Sequence, residues 1–169
     1  MRIIDRIADA LRPATSEIVI VASAAEAASW IPGARVIPDA WRKQGSLVGI
    51  HAALNDARGP VIVVAWDVPF VTTPLFELLL SRADRSPYAT LPEGPSGVEP
   101  FCAVYSPACL PIIESGLAAD DLKLSHMLER LPSYERVPLA DVARIGDPDK
   151  LFFNVNTAND LATAERLAT

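Results

Sequence analysis

Long apolar runs, cysteine and positive charge are all scarce in this chain. No apolar run approaches the ~18 residues that a membrane-spanning helix needs. The two cysteines, Cys102 and Cys109, are too few for a disulfide framework, and the sequence has no CxxC motif. The net charge is −6 and the pI is about 4.9, without the basic stripe that is typical of nucleic-acid binding. We therefore expect neither a membrane nor a nucleic acid among its partners.

The first residues also lack the uninterrupted apolar stretch of a signal peptide. Charges occur at Arg2, Asp5, Arg6 and Asp9. Because cysteine is rare as well, we expect a cytoplasmic protein.

Apolar sequence, by contrast, is plentiful. Half of the 169 residues are apolar and the mean hydropathy is +0.24, which predicts one domain with a sizeable core. Short apolar, β-branched runs alternate with helical patterns. The predicted strands are residues 17–22, 34–37, 61–66, 87–92 and 98–106, and residues 135–138 and 151–155 are predicted to be short extended pieces. The predicted helices are residues 3–11, a short alanine-rich helix capped by Ser23, and residues 45–57, 75–83, 107–115, 122–131 and 159–168. This alternation is typical of an α/β fold with a mostly parallel sheet.

Asp67 is the first candidate for chemistry. In α/β sheets, ligands bind beyond the carboxyl ends of the strands, and Asp67 directly follows the strongest apolar run, residues 61–66. A carboxylate there is suited to hold Mg²⁺ against the phosphates of a ligand. An aspartate that only caps the following turn fits the same position.

Asn154 and Asn156 form the second candidate group. In an extended segment they point the same way, because side chains alternate with a period of two. Two amides on one face are suited to orient a metal-bound water or a ligand. Asn156 or Thr157 is also suited to cap the last helix.

Asp39 and Gly45 form the third group. Asp39 follows the predicted strand 34–37, and Gly45 opens a helix whose N-terminal N–H groups favour an anion. A plain tight turn explains the glycine equally well.

The remaining reactive residue types have no partners at catalytic or ligand spacing. His51 and His126 lack a second ligand nearby in the sequence, which favours structural roles. The cysteines are interpreted as buried hydrophobes. Trp30, Trp41 and Trp66 are interpreted as packing residues, and no serine lies in a nucleophile elbow.

Four blocks of this sequence resemble the molybdenum cofactor guanylyltransferase family. GSLVGIHAAL resembles the family's G-P-L-A-G-I-x-A-G-L, and the apolar strand with DVPF resembles its strand with C-D-x-P-F. VEPFCAVYSPACLPIIE resembles Q-P-L-x-A-L-Y-x-x-x-L-x-x-x-L, and FFNVNTANDL resembles F-x-N-V-N-T-P-E-D-L. In this chain the blocks occupy, in the family's order, residues 45–54, 61–79, 98–114 and 152–161.

The resemblance implies a Rossmann-like nucleotidyltransferase fold. The implied reaction is transfer of GMP from GTP to molybdopterin, with Mg²⁺ required and pyrophosphate released. Asp67 would be the catalytic metal ligand. Asp39 and Gly45 would line the nucleotide site, and Asn154 and Asn156 would lie near the pterin phosphate. Maturation proteins of molybdoenzymes are the further partners that this resemblance suggests.

The resemblance has one large gap. Members of the family begin with a strand and a Gly-rich loop, L-x-G-G-x-S-x-R-M-G-x-D-K, whose N–H groups hold the triphosphate. Here residues 2–6 resemble the P-L-I-D-R that follows this loop. The implied sheet therefore lacks its first strand, and the two strands beside it lack a partner. In addition, Val21, Ser46 and Trp66 replace a family asparagine, proline and cysteine.

Three explanations of this gap stay open: an incomplete gene product or misassigned start, a degenerate paralogue that binds without catalysis, or a second polypeptide that supplies the loop. The alternative functions are a molybdopterin cytidylyltransferase and a non-catalytic binding or adaptor protein in cofactor maturation.

Overall fold

A computed structural model describes residues 1–38 and 45–168, which form α-helices and strands in alternation. The helices are α1 (Ile3–Leu11), α2 (Ser46–Asp56), α3 (Thr73–Leu80), α4 (Leu110–Ala118), α5 (Leu124–Arg130), α6 (Leu139–Val142), α7 (Pro148–Leu151) and α8 (Ala158–Leu167). The strands are β1 (Val19–Val21), β2 (Arg35–Ile37), β3 (Val61–Val64), β4 (Ala89–Gly94), β5 (Gly97–Val98), β6 (Cys102–Tyr105) and β7 (Glu135–Val137). None of these helices has the length and apolarity to cross a bilayer.

The strands confirm the α/β class but correct the expectation of a mostly parallel sheet. β1 pairs with β2, and β4 with β7, in parallel, whereas β6 lies antiparallel between β3 and β4, and β5 is antiparallel to β4. The reason is the path of the chain after β4. Only Pro95 and Ser96 separate β4 from β5, and only residues 99–101 separate β5 from β6. The link at Pro95 and Ser96 reverses the chain and cannot form a parallel crossover. Residues 99–101 do not reverse it again, so β5 and β6 both run antiparallel to β4.

Helices cover both faces of the sheet, and the side chains of β3 pack alternately against the two layers of helices. Val61 and Val63 pack into one apolar cluster, together with α2, α4 and α5. Ile62 and Val64 pack into the other, with α1, α3 and α6. This division follows from the alternation of side chains along a strand.

Most element predictions are confirmed, and three are wrong. Helix α1 has the predicted bounds, but the N-cap residue of the short 3₁₀-helix Ala25–Ser29 is Ala24 and not Ser23. Residues 98–106 are not one strand, since the turn at residues 99–101 divides them. The predicted extended piece 151–155 is not extended throughout, because Leu151 ends α7.

The sheet is split between β1 and β3. Among the described residues, β1 pairs only with β2, and β3 only with β6, so each presents one unpaired edge. This agrees with the expectation that two neighbouring strands lack a partner on one edge. Between the edges lies a cavity of about 1520 Å³, here called the β1–β3 groove. Its apolar lining includes Ile4, Ile7, Leu11, Ile18, Ile20, Ile50, Ala53, Val61 and Ile62.

Candidate functional site

Asp67 lies at the carboxyl end of β3, where it lines the β1–β3 groove. The preceding backbone is held to the start of β6, because the N–H of Ala65 donates to the carbonyl of Phe101 at 2.8 Å. The Oδ1 atom of Asp67 is buried and has no hydrogen-bond partner among the described residues. Buried polar atoms are normally paired, so this oxygen is suited to meet a cation or a ligand donor. It does not cap the following turn.

The segment with Asn154 and Asn156 lies against Asp67. The N–H of Val155 donates to the backbone carbonyl of Asp67 at 2.9 Å. Both asparagines are exposed and both line the β1–β3 groove. The structure therefore brings together the first two candidate groups of the sequence analysis.

Helix α8 fixes the far side of this segment. The hydroxyl of Thr157 accepts from the N–H of Asp160 at 3.1 Å, and the Asp160 carboxylate accepts from the N–H of Asn156 at 3.1 Å and of Thr157 at 2.9 Å. The bond to the Thr157 side chain, with these backbone donors, lowers the pKa of Asp160. Thr157 is thus the cap of α8, and this role does not use the Asn156 side chain.

Gly45 immediately precedes α2 in an extended conformation. A β-carbon added there would meet only Leu122, at 3.8 Å, so space does not demand a glycine. The next residue, Ser46, lines the β1–β3 groove. A nucleotide contact at Gly45 therefore stays a prediction. Asp39, the other residue of that group, lies outside the described residues.

Two aromatic residues at the site were not predicted as functional. Trp66 is 75% exposed and Phe101 is 38% exposed, and both line the β1–β3 groove beside Asp67. The interpretation of Trp66 as a packing residue is wrong. The available signal was its place at the end of an apolar strand, directly before the candidate carboxylate.

The oxygen-bearing side chains at this site would fit a hard cation better than a transition metal. Asp67 would supply one carboxylate, and Asn154 and Asn156 would supply amide oxygens. Mg²⁺ is commonly held by one or two carboxylates, with waters and substrate phosphates completing its shell. No group of three or more His, Cys, Asp or Glu side chains suited to a metal occurs within residues 1–38 and 45–168.

The histidines and cysteines take structural roles. His51 lies 3.4 Å from Glu114 between helices α2 and α4, and His126 lies 3.0 Å from Asp121. Both cysteines are buried, which raises the pKa of Cys102 to about 12 and that of Cys109 to about 11. These thiols are poor nucleophiles at neutral pH.

A second cavity, of about 400 Å³, lies away from these residues. Its lining includes Arg6, Phe70 and Lys150, and both cationic groups stack on the Phe70 ring, at 5.9 and 5.1 Å from its centroid. Of the predicted site residues that the structure describes, none lines this second cavity.

Several known proteins are similar to this chain over most of its length. The molybdenum cofactor guanylyltransferase of Desulfosudis oleivorans is 32% identical over 167 residues, which is 96% of this chain and 80% of that protein. The probable molybdenum cofactor guanylyltransferase of Pelotomaculum thermopropionicum is 32% identical over 166 residues, with 98% and 80% covered.

Solved structures show the same fold. Molybdopterin-guanine dinucleotide biosynthesis protein A from Archaeoglobus fulgidus superposes with a TM-score of 0.84 at 29% identity, covering 98% of this chain and 85% of that chain. The 2-C-methyl-D-erythritol 4-phosphate cytidylyltransferase of Thermus thermophilus reaches 0.69 at 17% identity, covering 98% and 88%, which supports the fold alone. The family described as MobA-like NTP transferase domain matches residues 1–137. With its nucleotidyltransferase fold and these relatives, the chain belongs to the MobA-like NTP transferase family.

Proposed function

We propose that this protein acts in molybdenum cofactor guanylylation, in which GMP from GTP is joined to the terminal phosphate of molybdopterin and pyrophosphate is released. The observation that carries the proposal is the unpaired, buried Oδ1 of Asp67 at the carboxyl end of β3, beside Asn154 and Asn156. Family membership supports a nucleotidyltransferase, and the names of the relatives support GTP and molybdopterin as its substrates.

The negative charge of the chain and of both proposed substrates requires a local positive charge at the site. The chain carries a net charge of −6, and both proposed substrates are anionic, so the overall field opposes their approach. When bound, Mg²⁺ would offset the negative charge that develops around the α-phosphate during in-line attack. Asp67 would hold that ion, and its position after a strand with two neighbouring backbone hydrogen bonds keeps its carboxylate in one place.

The other site residues would bind and orient the substrates. Asn154 and Asn156 offer amide donors and acceptors for the phosphate of the pterin, at a segment that Asp67 and α8 hold from both sides. Asp39 and Gly45 would contribute to the nucleotide site. Trp66 and Phe101 present flat apolar surfaces at the mouth of the groove, where a heterocyclic ring can stack.

A non-catalytic role is the alternative to this proposal. A chain that binds nucleotide or a partner but releases no pyrophosphate would be a binding or adaptor protein in cofactor maturation. The related cytidylyltransferase reaction differs in its nucleotide and is tested by the same experiment.

The test is a calorimetric titration of GTP, CTP and ATP into the chain, with and without Mg²⁺. We expect binding that requires Mg²⁺ and is selective for GTP. Asp67→Ala and Asp67→Asn should abolish the Mg²⁺-dependent part without changing the circular dichroism spectrum. Glu77→Gln, an exposed carboxylate on α3, is the matched control and should bind as the original chain does.

Two results would contradict this proposal. If none of the three nucleotides binds, the nucleotide assignment is wrong for this chain. If the Asp67 variants keep the same Mg²⁺ dependence, the metal assignment is wrong. Selective binding of CTP would move the proposal to the cytidylyltransferase reaction. Binding of GTP without pyrophosphate release when molybdopterin is added would support the adaptor alternative.

A further inference from the structure

The second cavity of the molecule, here called the Phe70 cavity, is large enough for a small organic ligand. Its volume is about 400 Å³, which lies within the usual range of ligand sites. Helix α1, the loop before α3 and the residues around α7 form its walls. Because no described candidate for nucleotide or pterin binding lines this cavity, the proposed substrates do not account for it.

Two cationic side chains meet at one aromatic ring in this cavity. The guanidinium of Arg6 lies 5.9 Å, and the ammonium of Lys150 lies 5.1 Å, from the centroid of the Phe70 ring. This ring is held in place, because Phe70 is only 8% exposed and the centroid of the Phe153 ring lies 6.4 Å away. Both charges are therefore anchored to the same wall of the cavity.

Within the described part of the chain, neither cation has a carboxylate partner. The Arg6 side chain makes no hydrogen bond or ion pair there, and Lys150 donates to the backbone carbonyl of Leu167 at 2.6 Å. A guanidinium has five N–H donors and an ammonium has three, so most of these donors remain for a ligand. The two like charges also repel each other, and an anion between them would offset that repulsion.

The acidic groups of the cavity, in contrast, already have partners. Asp9 forms an ion pair with Arg12 at 3.0 Å. The carboxylate of Asp147 accepts from the N–H of Asp149 at 3.1 Å, as the N-cap of α7. The charges without a counter-charge are therefore the positive ones at the Phe70 ring.

Apolar side chains form much of the remaining lining, namely Pro69, Val71, Ile145 and Leu151. A bare phosphate ion would leave this surface unfilled, and a neutral apolar molecule would leave the cations without a counter-charge. We propose that the Phe70 cavity binds a small organic anion. Its phosphate or carboxylate head lies between Arg6 and Lys150, and its apolar body lies against the other walls.

Two aromatic anions, phenyl phosphate and benzoate, test this proposal. Each is titrated into the 169-residue chain without nucleotide or Mg²⁺, and calorimetry and NMR shifts of the backbone amides are recorded. We expect saturable binding of at least one of them, with the largest shifts at residues 69–72 and 145–151. The tighter of the two identifies the head group that the cavity prefers.

Two further probes separate the contributions of charge and apolar surface. Inorganic phosphate should bind at least about tenfold more weakly than phenyl phosphate, because it has no body to bury against the apolar walls. Benzyl alcohol has the aromatic body but no charge, and it should give no saturable binding.

Variants of the charged residues assign the binding to this cavity. Arg6→Gln and Lys150→Gln should each weaken binding of the tighter probe by about tenfold, because each removes a charge-assisted hydrogen bond. Arg58→Gln removes the same charge from an exposed arginine outside this cavity and should bind as the original chain does. Asp9→Asn removes a negative charge from the rim and should strengthen binding by about twofold. Lys150 and Asp9 are exposed, so these two variants should fold even if Arg6→Gln does not.

Asp67→Ala separates this proposal from the proposed function. Asp67 does not line the Phe70 cavity, so this variant should lose Mg²⁺-dependent nucleotide binding and still bind the probes as the original chain does.

Several results would overturn the proposal of an anion site. These are no saturable binding of either aromatic anion, equal binding of benzyl alcohol, or unchanged binding to folded Arg6→Gln and Lys150→Gln chains. Amide shifts centred on residues 154–156 that disappear in Asp67→Ala would place the probe in the candidate substrate site instead.

Discussion

Two halves of the sheet have similar apolar sequences but very different surroundings. All of β6 is buried, and Leu91 and Ala89 of β4 are 0% and 3% exposed. In β1 and β3, by contrast, every residue is only partly buried, although both are composed of valine and isoleucine alone. The difference lies in the neighbours: β4 and β6 have strands on both sides, while β1 and β3 border the groove. An apolar strand is suited to a buried position. In this sheet, only strands that are paired on both edges occupy such a position.

Thiol labelling should show the largest contrast between the halves. We call the half with β4 and β6 the closed half and the half with β1 and β3 the open half. Cys102 lies in β6, and Cys109 packs in the apolar cluster beside β4 and β6. Burial raises the pKa of both thiols. At pH 8 we expect a thiol reagent to label them on the order of 1000-fold more slowly in the native chain than in urea, since labelling requires unfolding. A cysteine introduced by Val21→Cys, at the groove, should be labelled much faster than either. Similar native rates at all three positions would contradict the division into a closed and an open half.

Truncation of one valine in β6 and one in β3 tests the same contrast in the free energy of unfolding. Val104 of β6 is 2% exposed, and Val64 of β3 is partly buried in the same apolar cluster. We expect Val104→Ala to lower the free energy of unfolding by about 2 kcal/mol and Val64→Ala by about half as much. Urea denaturation measures both values. Equal losses would mean that the groove does not expose β3.

Glu99 lies in the turn between β5 and β6, where burial raises the pKa of its carboxyl. Folding therefore favours the protonated form, so this contribution to stability is full below about pH 4.5 and is lost as the pH rises through the higher pKa of the folded state. Glu99→Gln has no carboxyl to ionise, so it should not lose this stability as the pH rises. Its melting temperature, relative to that of the original chain, should be higher at pH 7 than at pH 4. An offset that does not change with pH would show that Glu99 is not responsible.

Substitution of Arg35 should have the smallest effect on stability among these predictions. It bonds to Glu17 at 2.8 Å and to Asp56 at 2.6 Å, which links the β1–β2 pair to helix α2 at one end of the groove. These bonds lower the pKa of both carboxyls, so their stabilisation is present above the ordinary carboxyl pKa and is lost as the pH falls through the lowered values. Because the groups are exposed, we expect Arg35→Ala to lower the melting temperature by on the order of 1 °C at pH 7.

At pH 2 the difference between this variant and the original chain should disappear. A difference that persists there would assign the effect to packing of the arginine side chain. Hydrogen exchange at β1 should also be faster in the variant at pH 7, while exchange at β6 should not change.

Local patterns predicted much of this fold from the sequence. Helix α1 was predicted with its observed bounds, because Ile3, Ile7 and Leu11 share one face and Pro13 follows. The turn inside residues 98–106 was missed, although Pro100 was a signal against a continuous strand. The antiparallel course of β6 follows from a different turn, at Pro95 and Ser96, which reverses the chain after β4.

The site was predicted in part. The rule that ligands meet the carboxyl ends of strands placed Asp67 correctly at the groove, and Asn154 and Asn156 proved to be its neighbours. The buried, unpaired state of Asp67 Oδ1 and the exposure of Trp66 depend on packing between elements distant in sequence. The periodicity and spacing of residues in the sequence do not predict such packing.

The hydrogen bond from Val155 to Asp67 also sets an order of events during synthesis. A ribosome releases the chain from its N-terminus, so β3 and the helices around it emerge long before Val155 does. The sheet can begin to pack while the carbonyl of Asp67 still faces water. This bond can form only after the asparagine segment has been translated, so the site is completed later than β3 and the helices around it.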